Sequence, residues 1–273
     1  MQNLDFAHRI GVSTLCLRGL SPSAAIDQTL EAGFAALEFT PISYGGPEAF
    51  SPAERRELRR QLSRFKVVTV HSSGMGGANI CSADPARREH ARRRYLELVG
   101  FARDVEADVL TVHPGGMDPE GPTKEEVFAQ NVEFGKEMAR AAGTAAMQLG
   151  YELFDARIGR QIGRKNFGVL FDIGHASRRA PAVDTTAVLA MIDELSDQTV
   201  QYHVHGVGEA EKKVDHLPFA SNTWLDYERL VPHILASGFR GPLILEIGIR
   251  TENWAANLQD CVVARQDLVQ LAK

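Results

Sequence analysis

Phe167-Gly168-Val169-Leu170-Phe171-Asp172-Ile173-Gly174-His175 is a short, nearly continuous apolar run that stops at an acid, a glycine and a histidine. A strand on a half-solvated sheet alternates apolar and polar residues, whereas one covered on both faces has no polar side. The stretch Phe167 to Phe171 therefore reads as a buried strand of a parallel sheet. Outward from it, similar runs occur at Ile10 to Leu17, Ala36 to Phe39, Phe65 to Val70, Val109 to Val112, Gln148 to Phe154, Val200 to His205 and Pro242 to Ile247. Longer amphipathic segments separate them. Several open on a helix-start signal: Ser21 before Pro22, Ser51 before Pro52, and Thr123 three residues ahead of Glu126. Parallel strands need crossover helices, and eight such units in 273 residues favour an α/β fold of one domain, a single (β/α)8 TIM barrel over 1–273, rather than an open doubly wound sheet. The first strand, Ile10-Gly11-Val12-Ser13-Thr14, is not followed by Gly-x-Gly-x-x-Gly, which removes the main support for a dinucleotide site. The segment Ala139 to Lys165 suits one long helix by propensity, and only the need for a fifth strand around Glu152 divides it.

Composition bounds the class. With 44% hydrophobic and 24% charged residues and a net charge of -5, the chain has enough apolar surface for a large core and is not a disordered tail. No run approaches the roughly 18 to 20 apolar residues of a membrane-spanning helix. A start containing Asp5, His8 and Arg9 lacks the apolar stretch of a signal peptide, so the expectation is a cytoplasmic protein with no membrane partner. Cys16, Cys81 and Cys261 are odd in number and far apart, and read as buried small residues rather than disulfides or a zinc site. The acidic balance argues against a nucleic-acid partner, and the one basic run, Arg87-Arg88 with Arg92-Arg93-Arg94, reads as a solvated helix face.

In a barrel of this kind the C-terminal strand ends share one face, where polar residues become site candidates. Glu38, His71, His113, Glu152, Asp172, His175, His203, His205 and Glu246 all interrupt or follow an apolar run. A single histidine after a strand is ordinarily a hydrogen-bonded structural residue. A converging set of charges instead faces a desolvation cost that a cation relieves. Glu152, Asp172, His205 and Glu246 offer three carboxylates and one imidazole, a donor set suited to one divalent ion, Mn, Mg, Co or Zn. His203 and His205, two apart on a strand, point the same way. His205 is nearer the mouth and is preferred as ligand, with His203 packed deeper.

Val70-His71-Ser72-Ser73, with Asn79-Ile80-Cys81-Ser82, Asp84 and Arg88, and Val112-His113-Pro114-Gly115-Gly116 resemble the third and fourth βα units of the sugar phosphate isomerase/epimerase family. That family belongs to the xylose isomerase-like TIM barrels, which also include endonuclease IV. Phe171 to His175, His203-Val204-His205 and Gly241 to Glu246 are similar to its sixth, seventh and eighth strands, and Asp215-His216-Leu217-Pro218 to the segment before its seventh helix. The resemblance covers nearly the whole chain and is specific for the superfamily, not for a substrate. It implies a divalent metal on Glu152, Asp172, His205 and Glu246, with Glu152 and Glu246 as the acid/base pair and His175 on a sugar oxygen. The implied activity is isomerisation or epimerisation of a small sugar or polyhydroxy carbonyl compound through a metal-stabilised enediolate. His71, His113, His216 and Glu38 join His175 as candidate substrate contacts. Trp224 either stacks on a sugar face or packs against the seventh helix. Arg250 either meets an anion or is a surface residue.

Several positions depart from the family. Glu152 precedes Leu153-Phe154-Asp155 instead of Asn-His, which leaves Asp155 as an alternative carboxylate. Glu211, followed by Lys212 and Lys213, stands where ketohexose epimerases place an arginine, and Ala220 to Trp224 replaces a glycine-rich turn. One alternative activity is a metal-dependent lyase that dehydrates a keto-sugar or keto-cyclitol. Another is an endonuclease IV-like zinc phosphodiesterase, since His71, His113, His175 and His216 match its additional zinc positions, although Val214 stands where an aspartate is needed unless Asp215 substitutes. A third is a sugar- or partner-binding barrel without catalysis. The pairs Gly45-Gly46, Gly76-Gly77 and Gly115-Gly116 read as tight turns, and no P-loop supports a phosphate. A homo-oligomer is compatible with these features.

Overall fold

The computed structural model describes residues 4–72, 79–118, 121–143, 147–152, 155–179, 184–208, 214–249 and 251–273. Eight strands close a barrel in chain order: β1 (Ile10–Ser13), β2 (Ala36–Phe39), β3 (Val67–His71), β4 (Val109–Val112), β5 (Gln148–Glu152), β6 (Phe167–Asp172), β7 (Thr199–Val204) and β8 (Leu243–Leu245). Every neighbouring pair is parallel, and β1 returns to β8. The apolar runs are explained by this closure. Their outward residues, such as Phe39, Tyr151, Phe171 and Tyr202, are buried under the surrounding helices, and their inward residues fill the barrel.

Helix starts follow the capping chemistry of the sequence. Ser21 caps Pro22–Glu31, and both Ser51 with Glu54 and Thr123 with Glu126 form reciprocal capping boxes. The ambiguous segment resolves into a helix to Ala142, β5, and a short helix Ala156–Ile162. Tertiary pairing on both sides, of Gln148–Tyr151 with Val109–Val112 and of Leu149–Glu152 with Phe167–Leu170, outweighs its helical propensity.

The first strand is shorter than expected. Ser13 Oγ accepts the N–H of Leu15, and Thr14–Leu17 turn into a 3-10 helix. Its residues are buried all the same, which is why hydrophobicity alone extended the strand. In β7, Thr199 pairs with Val169 but Gln201 with Leu170, so Val200 is an extra residue. Such a bulge resets which face the rest of a strand presents. It turns Gln201, His203 and His205 toward the barrel axis.

The basic run lies on the helix Pro85–Asp104 and is tied to its surroundings: Arg88 donates to the carbonyls of Ser82 and Ala83, Arg92 pairs with Glu137, and Arg94 with Glu48. All three cysteines are free and buried. Among the described residues no helix is long and apolar enough to cross a membrane.

Candidate active site

Asp172 ends β6 fully buried, and its Oδ1 accepts the N–H of His175 at 2.7 Å, fastening the first turn of the helix Ile173–Arg179. The same oxygen lies 3.1 Å from His205 Nε2. His205 follows β7 and is clamped from behind. Its Nδ1 accepts the backbone N–H of His216 at 3.0 Å, and its carbonyl accepts the Tyr227 hydroxyl at 2.8 Å. A Cβ at Gly174 would collide with the His205 ring, so the glycine of the Asp-x-Gly-His segment is what lets the helix pack there. His216 itself sits in the left-handed region at φ 58°, held by the bridge between Gly206 and Leu217 and by its Nδ1 contact with the Glu246 carbonyl at 3.0 Å.

Glu152, at the end of β5, has each carboxylate oxygen on a different imidazole. Oε1 is 2.8 Å from His175 Nδ1 and Oε2 is 3.2 Å from His113 Nε2. Beyond His175, Asp215 forms an ion pair with Arg178 and comes within 3.6 Å of His175 Nε2. A pocket of about 510 Å³ opens beside these groups, lined by His113, Gly115, Glu152, His175, Arg178 and Arg179. Asn131 secures its rim: its side-chain oxygen accepts the Gly115 N–H and the Tyr151 hydroxyl, while its amide donates to the Gly115 carbonyl.

Deeper in the barrel, Glu246 faces His71 Nδ1 at 3.3 Å and His203 Nδ1 at 3.2 Å, and Glu38 faces His71 Nδ1 at 3.2 Å. Burial alone would raise these carboxyls and lower these imidazoles. Opposite charges win. His203 and His71 hold Glu38 at about 2, and His113 and His175 hold Glu152 at about 2. Despite burial, Glu38 and Glu246 lift His71 to about 10, and Asp172 with Glu152 lifts His175 to about 9. Burial, reinforced by His205, pushes His216 down to about 4, and burial also lowers His113.

The proposed ligands thus divide. Glu152 and Asp172 meet around His175, and His205 meets His175 and His216, each group having ligand atoms within 4.8 Å of one another. Glu246 groups instead with Glu38, His71 and His203, while His71, His113 and Glu152 form a further group. Asp155 caps the helix Ala156–Ile162 and pairs with Arg157, so it does not compete with Glu152. Trp224 is half-buried against the core and makes no polar contact among the described groups. Arg250, Glu211, Lys212, Lys213, Leu153, Phe154, Gly76 and Gly77 lie outside the described residues. Sequence reasoning passed over Arg178 and Gln201. Arg178, three positions after His175 on one helix, had that spacing as a signal, whereas Gln201 had none, because only the bulge at Val200 turns it inward.

A closed parallel barrel with carboxylates and histidines gathered at the C-terminal ends of its strands defines a TIM-barrel protein with one polar mouth. The chain belongs to the xylose isomerase-like TIM barrel family, whose model matches residues 26–262. Among solved structures it is similar to a D-tagatose 3-epimerase-like protein, with TM-score 0.76 and 18% identity over 97% of this chain and 98% of the other. It is also similar to the D-psicose 3-epimerase of Clostridium cellulolyticum H10, with TM-score 0.74 and 15% identity over 97% and 98%. A third likeness is to a xylose isomerase-like TIM barrel protein from Mycobacterium smegmatis in complex with magnesium, with TM-score 0.65 and 16% identity over 96% and 100%. At these identities the likeness is one of fold. In sequence the chain is 24% identical over 184 residues to an uncharacterized protein of Methanocaldococcus jannaschii, covering 62% of this chain and 61% of that one. It therefore spans about three fifths of the curated relative it matches.

Proposed function

We propose that the chain is a divalent-metal-dependent epimerase or isomerase of a small sugar or keto-polyol. The observation that carries this reading is Glu152, a buried carboxylate bracketed by His113 and His175 on the wall of the pocket and grouped with Asp172. A carboxylate held ionised at a pocket wall is a proton acceptor, and an imidazolium beside it is a proton donor.

The donor set fits a divalent ion. Asp172, Glu152 and His205 present hard oxygens and one ring nitrogen, all buried, a combination that suits Mn, Mg, Co or Zn. When bound, such an ion supplies Lewis-acid polarisation of a carbonyl, which acidifies the adjacent carbon. The chain's own groups do the rest. Both oxygens of Glu152 are engaged, so one must be released before it takes a proton. His113 is the more exposed of its partners, at 38% against 28% for His175, and its contact is the longer, so Oε2 is freed. His175, with its ring anchored by Glu152 and Asp215, positions a substrate hydroxyl. Glu246 serves the opposite step of the pair: the His71 or His203 imidazolium passes its proton to the facing Glu246 oxygen, and Glu246 delivers that proton to the carbon.

The direct test is solvent-deuterium incorporation into ketoses such as D-tagatose, D-psicose and L-ribulose, and into keto-sugars, by protein reconstituted with Mn²⁺. Exchange at one carbon, abolished by Glu152→Gln and by Glu246→Gln, supports the reading. No exchange across the panel removes it. A lyase would show itself on the same panel by loss of water from the substrate. The groups His71–His113–Glu152 and His175–His205–His216 favour one second reading, a multi-zinc phosphodiesterase, checked by cleavage of an abasic-site oligonucleotide.

A further inference from the structure

We propose that the barrel interior beneath the mouth is a second divalent-cation site, built from Glu38, His71, His203 and Glu246. All four are buried, come from the ends of β2, β3, β7 and β8, and bring ligand atoms within 4.8 Å of one another. His71 Nδ1 lies 3.2 Å from Glu38 Oε1 and 3.3 Å from Glu246 Oε1, and His203 Nδ1 lies 3.2 Å from Glu246 Oε2. Yet His71 Nδ1, His203 Nδ1, Glu38 Oε1 and Glu246 Oε1 make no aligned hydrogen bond. Buried polar atoms in a native fold almost always have one. Imidazoliums locked between carboxylates account for the proximity but not for the misalignment. Ligands about 2.1 Å from a single ion stand roughly 3.0 to 3.4 Å apart in octahedral or tetrahedral geometry. Those three spacings fall in that interval, and the remaining ligand-atom pairs of the group lie within 4.8 Å.

The outward atoms of Glu38, His71 and His203 are already committed. Glu38 Oε2 accepts from Gln201 Nε2 at 2.6 Å and lies 2.9 Å from His203 Nε2, while His71 Nε2 is 2.9 Å from His113 Nε2. Metal ligands are commonly oriented in this way, one atom fixed by a neighbour and the other left for the ion. Two carboxylates and two neutral imidazoles balance a divalent charge, and two nitrogens with two or more oxygens suit Zn, Mn or Co. Such an ion ties β2, β3, β7 and β8 together from inside. Glu246 is common to this site and to the acid/base pair proposed above, so the inner ion sets the orientation of a carboxylate that the reaction uses. The inner site itself does not depend on that reaction.

Anomalous scattering from zinc-loaded crystals tests the site directly. A peak within bonding distance of Glu38, His71, His203 and Glu246 is expected, and loaded crystals without a peak there overturn the proposal. Metal content per chain, on variants whose folding is verified by circular dichroism, separates this site from the mouth. Glu38→Gln is expected to lose one bound ion and Asp172→Asn to lose a different one. Full wild-type content in Glu38→Gln overturns the inner site. Loss of an ion in Glu38→Gln with none lost in Asp172→Asn upholds it and discards the mouth as a metal centre.

Discussion

His205 Nε2 lies 3.1 Å from Asp172 Oδ1 while the opposite ring nitrogen accepts the backbone N–H of His216 at 3.0 Å. A ring nitrogen that accepts an N–H carries no proton, so the hydrogen-bond network assigns the proton of the neutral imidazole to Nε2, directed at Asp172. A cation on Nε2 displaces that proton. The nearest acceptor for a proton on Nδ1 is the Gly206 carbonyl at 3.2 Å, and a protonated Nδ1 no longer accepts from His216. Binding at His205 is thereby coupled to the strained segment at His216.

Amide exchange reads that coupling. Adding Zn²⁺ to metal-stripped protein should change exchange at residues 215–217 by roughly tenfold, the size of one hydrogen bond, with no change in the helix Trp254–Leu271. Identical exchange at 215–217 with and without the ion would mean that His205 Nε2 is not a ligand.

Asp172→Asn keeps the oxygen that accepts the His175 N–H and deletes the charge. The helix start should survive, while affinity for a divalent ion falls by on the order of 100-fold, measured by calorimetric titration. Wild-type affinity in this variant would remove Asp172 from the ligand set.

Gly174→Ala separates helix propensity from packing. In an open helix the change stabilises by about 1 kcal/mol. Here the added methyl meets the His205 ring, and overpacking should cost about 1 to 3 kcal/mol and weaken metal binding together. Chemical denaturation checks the sign, and a stabilised variant would mean that His205 has room to move away.

Metal-stripped protein should have a stability optimum on the acid side of neutrality. Glu38 and Glu152 are held near about 2, below the ordinary 4.5, so their contribution is complete above pH 4.5 and is lost as pH falls toward 2. His71 and His175 are lifted from 6.5 to about 10 and about 9, so theirs is complete below pH 6.5 and is lost as pH rises toward 9 to 10. Burial holds His216 at about 4, below its ordinary 6.5, which takes away stability as pH falls from 6.5 toward 4, so melting temperatures in chelator should peak near pH 6.5 and decline on both sides. A flat profile from pH 6.5 to 9 would show that the histidines are not charged in the folded state.

The barrel was legible along the chain because its signals are local. Continuous apolar runs mark strands buried on both faces, and Ser21, Ser51 and Thr123 mark helix starts within three residues of themselves. The polar strand ends, from Glu38 to Glu246, were equally legible, since a charge at the end of an apolar run stands out without knowledge of its neighbours. Where buried hydrophobicity and backbone geometry part company, as at Thr14–Leu17, the reading overran the strand.

Only the closed barrel decided which of those groups meet. Strand periodicity states the face on which a side chain lies, but its partners across the barrel depend on register and rotamer, which are set by contacts far apart in sequence. The extra residue Val200 turns Gln201, His203 and His205 inward together, with His203 packed deeper among Glu38, His71 and Glu246. Glu246 shares a candidate ligand set with Asp172 in the sequence, and in the barrel both face His203 Nδ1, Glu246 at 3.2 Å and Asp172 at 3.9 Å, while Glu246 also meets His71 of β3. A sequence can thus determine that this chain builds a barrel with an ionisable mouth. How the carboxylates are shared between an outer and an inner group is a property of three-dimensional distance, to which one-dimensional spacing carries no information.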